Sequence, residues 1–100
     1  MKFVVLFEDN LATGADVRRT YMPEHLAFLE LNAAKIQAAG PLQESDGQAA
    51  GGVWLVNAND LSEVDALVRE DPFWPTGLRR SVRILWWNQV FADGRRLIAV

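Results

Sequence analysis

The chain has 100 residues, half of them apolar, and its 10 lysines and arginines against 13 aspartates and glutamates leave a net charge of −3. This is the size of one globular domain, large enough for a core and small enough for self-association to matter. The absence of cysteine excludes disulfides and thiolate chemistry, and a single histidine argues against structural zinc. The acidic balance, with basic pairs scattered at Arg18-Arg19, Arg79-Arg80 and Arg95-Arg96, argues against a nucleic-acid surface.

In chain order, Lys2 to Glu8 has the β-branched and aromatic content of a strand, followed by loop residues through Gly14. That opening apolar run is too short for a signal peptide or a membrane span and meets acid at once, so a cytoplasmic protein without a membrane anchor is expected. Pro23 suits a first helical turn, and Leu26, Leu29, Ala33 and Ile36 recur at helical spacing before Gly40-Pro41; the pattern predicts a helix near 23 to 38. Pro41 to Ser45 reads as a short strand, Asp46-Gly47 as a turn and Gly52 to Asn57 as a second strand, together a hairpin. Asp60 with Glu63 forms a capping pair ahead of Leu61, Val64, Leu67 and Val68, which predicts a helix over 61 to 70 that Pro72 blocks. Ser81 to Trp87 is the last strong strand. The tail reads as a turn at Asp93-Gly94 and an extra strand through Leu97 to Val100.

Strand, helix, strand, strand, helix, strand is the order of a ferredoxin-like α+β sandwich with an antiparallel sheet. Both helices then cover one face. Yet Phe3 to Phe7 and Ile84 to Trp87 are apolar on both faces, and a second subunit packed face to face is the simplest cover. A homodimer is therefore expected, with the tail strand or long loops as the other way to cap that face.

The only histidine, His25, lies three residues into the predicted first helix. In a split βαβ pair that helix starts at the edge where the second helix ends, so His25 and Asp71 should share a corner. Glu8 and Asp9 should lie there too, with the loop Phe73 to Gly77, whose Trp74 is placed to line a ligand pocket. Arg18 or Arg79 would meet an anionic ligand if the fold brings them in. At a helix N-terminus the dipole favours neutral imidazole, and a carboxylate on its other nitrogen would fix the tautomer of a general base. A lone histidine also serves as a cap or a satisfied core group, and an aspartate before proline as turn chemistry.

These pieces, namely Glu8-Asp9 after the opening strand, Arg18 through Pro23-Glu24-His25-Leu26, Ala39-Gly40-Pro41-Leu42, Asp71-Pro72-Phe73 with Gly77-Leu78, and Trp87-Asn88-Gln89-Val90-Phe91, together resemble the YCII-related (YciI-like) proteins of the dimeric α+β barrel superfamily. The resemblance spans nearly the whole chain. It implies that His25 and Asp71 act as a catalytic pair. It also sets Met22 where an arginine often stands, removing one anion contact, and Thr20 where a serine stands, keeping a hydroxyl for substrate. Two functions follow: a cofactor-independent lyase or isomerase moving a proton on an unidentified small activated molecule, or a dimeric binding module that uses the same cleft without chemistry. Nothing in the sequence calls for a metal or cofactor.

Overall fold

A computed structural model describes residues 1–99. Four strands, β1 Lys2–Asp9, β2 Ile36–Gln43, β3 Ala49–Asn57 and β4 Arg79–Trp86, form one antiparallel sheet in the order β2-β3-β1-β4. With helices α1 (Gly14–Leu31) and α2 (Leu61–Glu70) this is the ferredoxin-like α+β arrangement that the element order predicts. A short hairpin, β5 Phe91–Ala92 and β6 Arg95–Arg96, follows. Among the described residues no helix is long and apolar enough to cross a membrane.

Alternation along the central strand decides which side chains are covered. Phe3, Val5, Phe7 and Asp9 of β1 are buried on the helix-covered face, whereas Val4 and Leu6 are half-buried and Glu8 exposed on the other. Phe3, Val5 and Phe7 pack with Ile36, Trp54 and Val56 of the sheet, Phe28 of α1, and Val64, Leu67 and Val68 of α2. Each large apolar side chain so buried contributes about 2 to 3 kcal/mol. The second helix keeps its predicted limits, and Asp60 Oδ1 accepts the Glu63 backbone N–H at 2.9 Å as the cap.

The first helix differs from the prediction at both ends. It begins at Gly14, so Pro23 sits inside it rather than in its first turn. Pro23 and Arg19, whose carbonyl loses its N–H partner, are both exposed, and water can take the freed acceptor. It ends at Leu31, with Asn32 donating its side-chain amide to the Phe28 carbonyl at 2.9 Å, and Ile36 opens β2 rather than closing the helix. Gly40-Pro41 is therefore strand, not stop signal; β2 is an edge strand, the place in a sheet where proline is tolerated. In the tail, Asp93 and Gly94 both take positive φ, 53° and 76°, as a two-residue hairpin turn requires. Its second strand is Arg95–Arg96 rather than Leu97 onward, and Val100 lies outside the described residues.

Candidate active site

A cavity of about 110 Å³ opens between α1, the ends of β1 to β3 and the chain leading from α2 into β4. Its walls include Arg18, Met22, His25, Leu26 and Leu29 of α1, Asp9 of β1, Trp54 of β3, and Phe73 and Arg79. Arg18, Met22, His25 and Leu29 fall at steps of four, three and four along the helix, so one stripe of α1 faces the cavity. His25 lies eleven residues beyond Gly14, in mid-helix. The dipole at the helix start falls off within a turn and does not act on it, contrary to the expectation from Pro23.

The other wall is built where α2 stops. Asp71 precedes Pro72 and takes extended backbone angles (φ −62°, ψ 132°), as a pre-proline residue should. Its Oδ1 accepts the Phe73 backbone N–H at 3.1 Å, and its carbonyl accepts the Trp74 N–H at 2.8 Å. This turn holds the carboxylate against α1, where Oδ1 lies 2.8 Å from His25 Nδ1. The turn is pinned to the β1–α1 connection by Asn10 N–H to the Leu78 carbonyl, 2.6 Å, and by Thr13 Oγ1 donating to the Gly77 carbonyl, 2.9 Å. The expected meeting of His25 and Asp71 at one corner is thus what the fold produces.

Asp71 is 1% exposed. Burial alone would raise its pKa, but the His25 hydrogen bond, the Arg79 charge and the Phe73 N–H together hold it below the ordinary aspartate value, so it is a carboxylate at neutral pH. With that acceptor on Nδ1, neutral imidazole keeps its proton there and presents the Nε2 lone pair. His25 packs beside the Phe73 ring at 4.5 Å between centroids. Such an imidazole can take a proton from a molecule in the cavity, with the adjacent carboxylate stabilising the imidazolium that forms.

Arg79 is the buried partner that sequence reasoning raised only conditionally. Its Nη2 lies 2.7 Å from Asp71 Oδ2, and its guanidinium sits 3.8 Å above the Phe7 ring centroid. Strict alternation from Val82 and Ile84 would aim Arg80, not Arg79, at the helices. A bulge between Glu8 and Asp9 pairs Glu8 with Ser81 and Asp9 with Arg79, which swings Arg79 to the covered side. Asp9 is likewise buried, and both of its oxygens accept from Arg18 Nη2, at 2.9 and 3.0 Å.

The remaining sequence-predicted contacts lie elsewhere. Thr20 is exposed, because two residues from Arg18 is the far side of a helix. Glu8 stands on the opposite face of the sheet, accepting from Arg80 Nη2 at 2.6 Å and Ser81 Oγ at 2.7 Å. Trp74 is 39% exposed in a 3₁₀ turn, with the Arg69 guanidinium 5.2 Å from its ring. None of these three lines the cavity.

A family model described as the YCII-related domain matches residues 1–88. Among solved structures, 5-chloro-2-hydroxyhydroquinone dehydrochlorinase from Burkholderia phenoliruptrix, in complex with 2,5-dihydroxybenzoquinone, is similar at a TM-score of 0.77 and 30% identity, over 88% of this chain and 94% of that one. A search of curated proteins finds no match.

Proposed function

The chain belongs to the YCII-related domain family, and from that premise we propose that it is a small cofactor-independent enzyme of the lyase or isomerase type, with His25 as general base and Asp71 as its orienting partner. The observation that carries this reading is the 2.8 Å contact between His25 Nδ1 and the buried Asp71 carboxylate in the wall of a cavity. His25 Nε2 takes a proton from an acidic C–H or O–H of the substrate. The released electron pair either moves to a new carbon, giving an isomer, or expels a leaving anion, giving an elimination product, and the imidazolium returns its proton to product or water. Arg18, held by Asp9, serves as a substrate contact. The structural neighbour is a dehydrochlorinase by its description, which makes elimination the first reaction to test.

Chloride release from 5-chloro-2-hydroxyhydroquinone by the purified protein is the test. Wild type is expected to release chloride, and His25→Ala to do so about 10² to 10⁴-fold more slowly. Full turnover in His25→Ala would remove the catalytic assignment. Binding of 2,5-dihydroxybenzoquinone without turnover of any related ring compound would favour the non-catalytic binding module.

A homodimer belongs to the same proposal. Support comes from the uncovered face, where Val4, Leu6, Val53 and Leu55 are half-buried and Leu85 is 39% exposed without a helix above them. A second copy packed there would close that face, and sedimentation showing only monomer at micromolar concentration would refute it.

A further inference from the structure

His25 and Asp71 are two members of a row of three. Asp71 Oδ1 serves the imidazole and the Phe73 N–H, while Oδ2 faces the Arg79 guanidinium, whose Nη2 lies 2.7 Å away. Oδ2 and Arg79 Nη1 are buried with no hydrogen-bond partner among the described residues, so that side of the carboxylate depends on the guanidinium charge. Aromatic rings enclose the pair: the guanidinium carbon lies 3.8 Å from the Phe7 centroid, 5.4 Å from that of Trp54 and 5.6 Å from that of Phe73. In such surroundings an unbalanced charge is costly, and whether His25 takes a proton depends on what its neighbours already carry.

The charged groups that face His25 can be named element by element. From α1 comes Arg18, which Asp9 of β1 balances through both of its oxygens. From β3 the cavity receives only the uncharged Gly52 and Trp54, and Glu8 and Arg80 stand on the opposite face of the sheet. The turn after α2 supplies Asp71, and β4 supplies Arg79. Two balanced pairs therefore surround the imidazole: uncharged, it leaves the cluster neutral, and as imidazolium it would leave a buried positive charge. Without Arg79 the order reverses, because Asp71 would be unbalanced until a proton arrived on it or on His25.

We propose that Arg79 is the positioning residue of the pair: by balancing Asp71 it keeps the carboxylate ionised without drawing a proton onto His25, and so leaves Nε2 free to accept one from substrate. This deepens the proposed function and rests on its reading of His25 as the base.

The chain has one histidine, so its ring-nitrogen signals are assigned without ambiguity. Nitrogen-15 spectra of labelled protein are followed across the range in which histidine titrates, about pH 5 to 8. At neutral pH wild type is expected to carry the ring proton on Nδ1 and none on Nε2. In Arg79→Gln, Nε2 is expected to be protonated instead. Either the imidazolium persists, with its titration midpoint raised by about one pH unit or more, or the proton settles on Asp71 and the ring turns to the Nε2–H tautomer. Arg79→Met should do the same, and glutamine, which can still donate to Oδ2, serves if methionine unfolds the site. Arg79→Lys, which keeps the positive charge, should retain the wild-type signals. A merely structural arginine would alter stability in these variants and leave the ring signals of the folded protein where they were. The proposal is overturned by a wild type with Nε2 protonated at neutral pH, by folded Arg79→Gln with wild-type signals and midpoint, or by a lysine variant that behaves like glutamine. Full turnover in His25→Ala alongside the expected ring signals would remove the base and leave the charge-balancing role of Arg79 in place.

Discussion

Arg79 and Arg80 are neighbours in the chain, and each meets a carboxylate, yet their surroundings have nothing in common. Arg79 turns under the helices to Asp71, with side-chain exposures of 8% and 0%; Arg80 turns to the open face and Glu8, at 67% and 58%. The first pair is wrapped by Phe7, Trp54 and Phe73, the second by water. What separates them is one bulge, and the lesson is that an ion pair's importance is set by which side of a sheet the backbone delivers it to.

The strongest way to break this contrast is at the backbone beside it. Gly51 pairs with Glu8 across β3 and β1, takes φ 157°, and a Cβ there would come within 1.8 Å of the Phe7 carbonyl oxygen. Gly51→Ala is expected to cost about 4 kcal/mol or more and to leave little folded protein, read by chemical denaturation. Next, Asp71→Ala removes the carboxylate facing a buried guanidinium and should cost about 3 to 5 kcal/mol; a loss below about 1 kcal/mol would mean that Arg79 swings out to solvent.

A smaller effect separates the two faces of β1 themselves. Val5→Ala, at a fully buried position, should cost about 2 kcal/mol at any protein concentration, whereas the cost of Val4→Ala should grow with concentration if a second copy covers it. Equal and concentration-independent losses would argue for a lone protomer.

The pH dependence sharpens the contrast further. Because the folded state holds Asp71 below the ordinary value of 3.8, its contribution is complete at neutral pH and fades as pH drops beneath that value toward the lower folded one. Asp71→Asn should therefore flatten the acid side of the stability curve relative to wild type, and parallel curves would disprove the charge argument. Least of all, Glu8→Gln is expected to leave the thermal midpoint unmoved, since a pair exposed on both sides is screened by solvent.

Much of this was legible from the residues. The capping Asp60, the apolar strand at Val53 to Val56 and the Asp93-Gly94 turn carry their own local signals, and they suffice to order the elements. The meeting of His25 and Asp71 was expected from topology and from the family resemblance together, though the topology argument set His25 at a helix start that the structure moves back to Gly14. Two kinds of information were not local. Pro23 is as compatible with a helix interior on an exposed face as with a helix start, and only the Arg18, Met22, His25 stripe, reaching back before the proline, distinguishes them. The burial of Arg79 depends on a register shift between β1 and β4, and no pattern within Arg79-Arg80-Ser81 encodes which of two arginines will skip a pairing.

The histidine and its carboxylate are 46 residues apart, on an early helix and on a turn that follows most of the sheet. Neither α1 nor the segment after α2 can orient the ring alone, so a nascent or partly melted chain carries an idle imidazole. If the pair is catalytic as proposed, proton transfer begins only once β4 has docked, and loss of activity during denaturation is expected to precede the spectroscopic signs of unfolding.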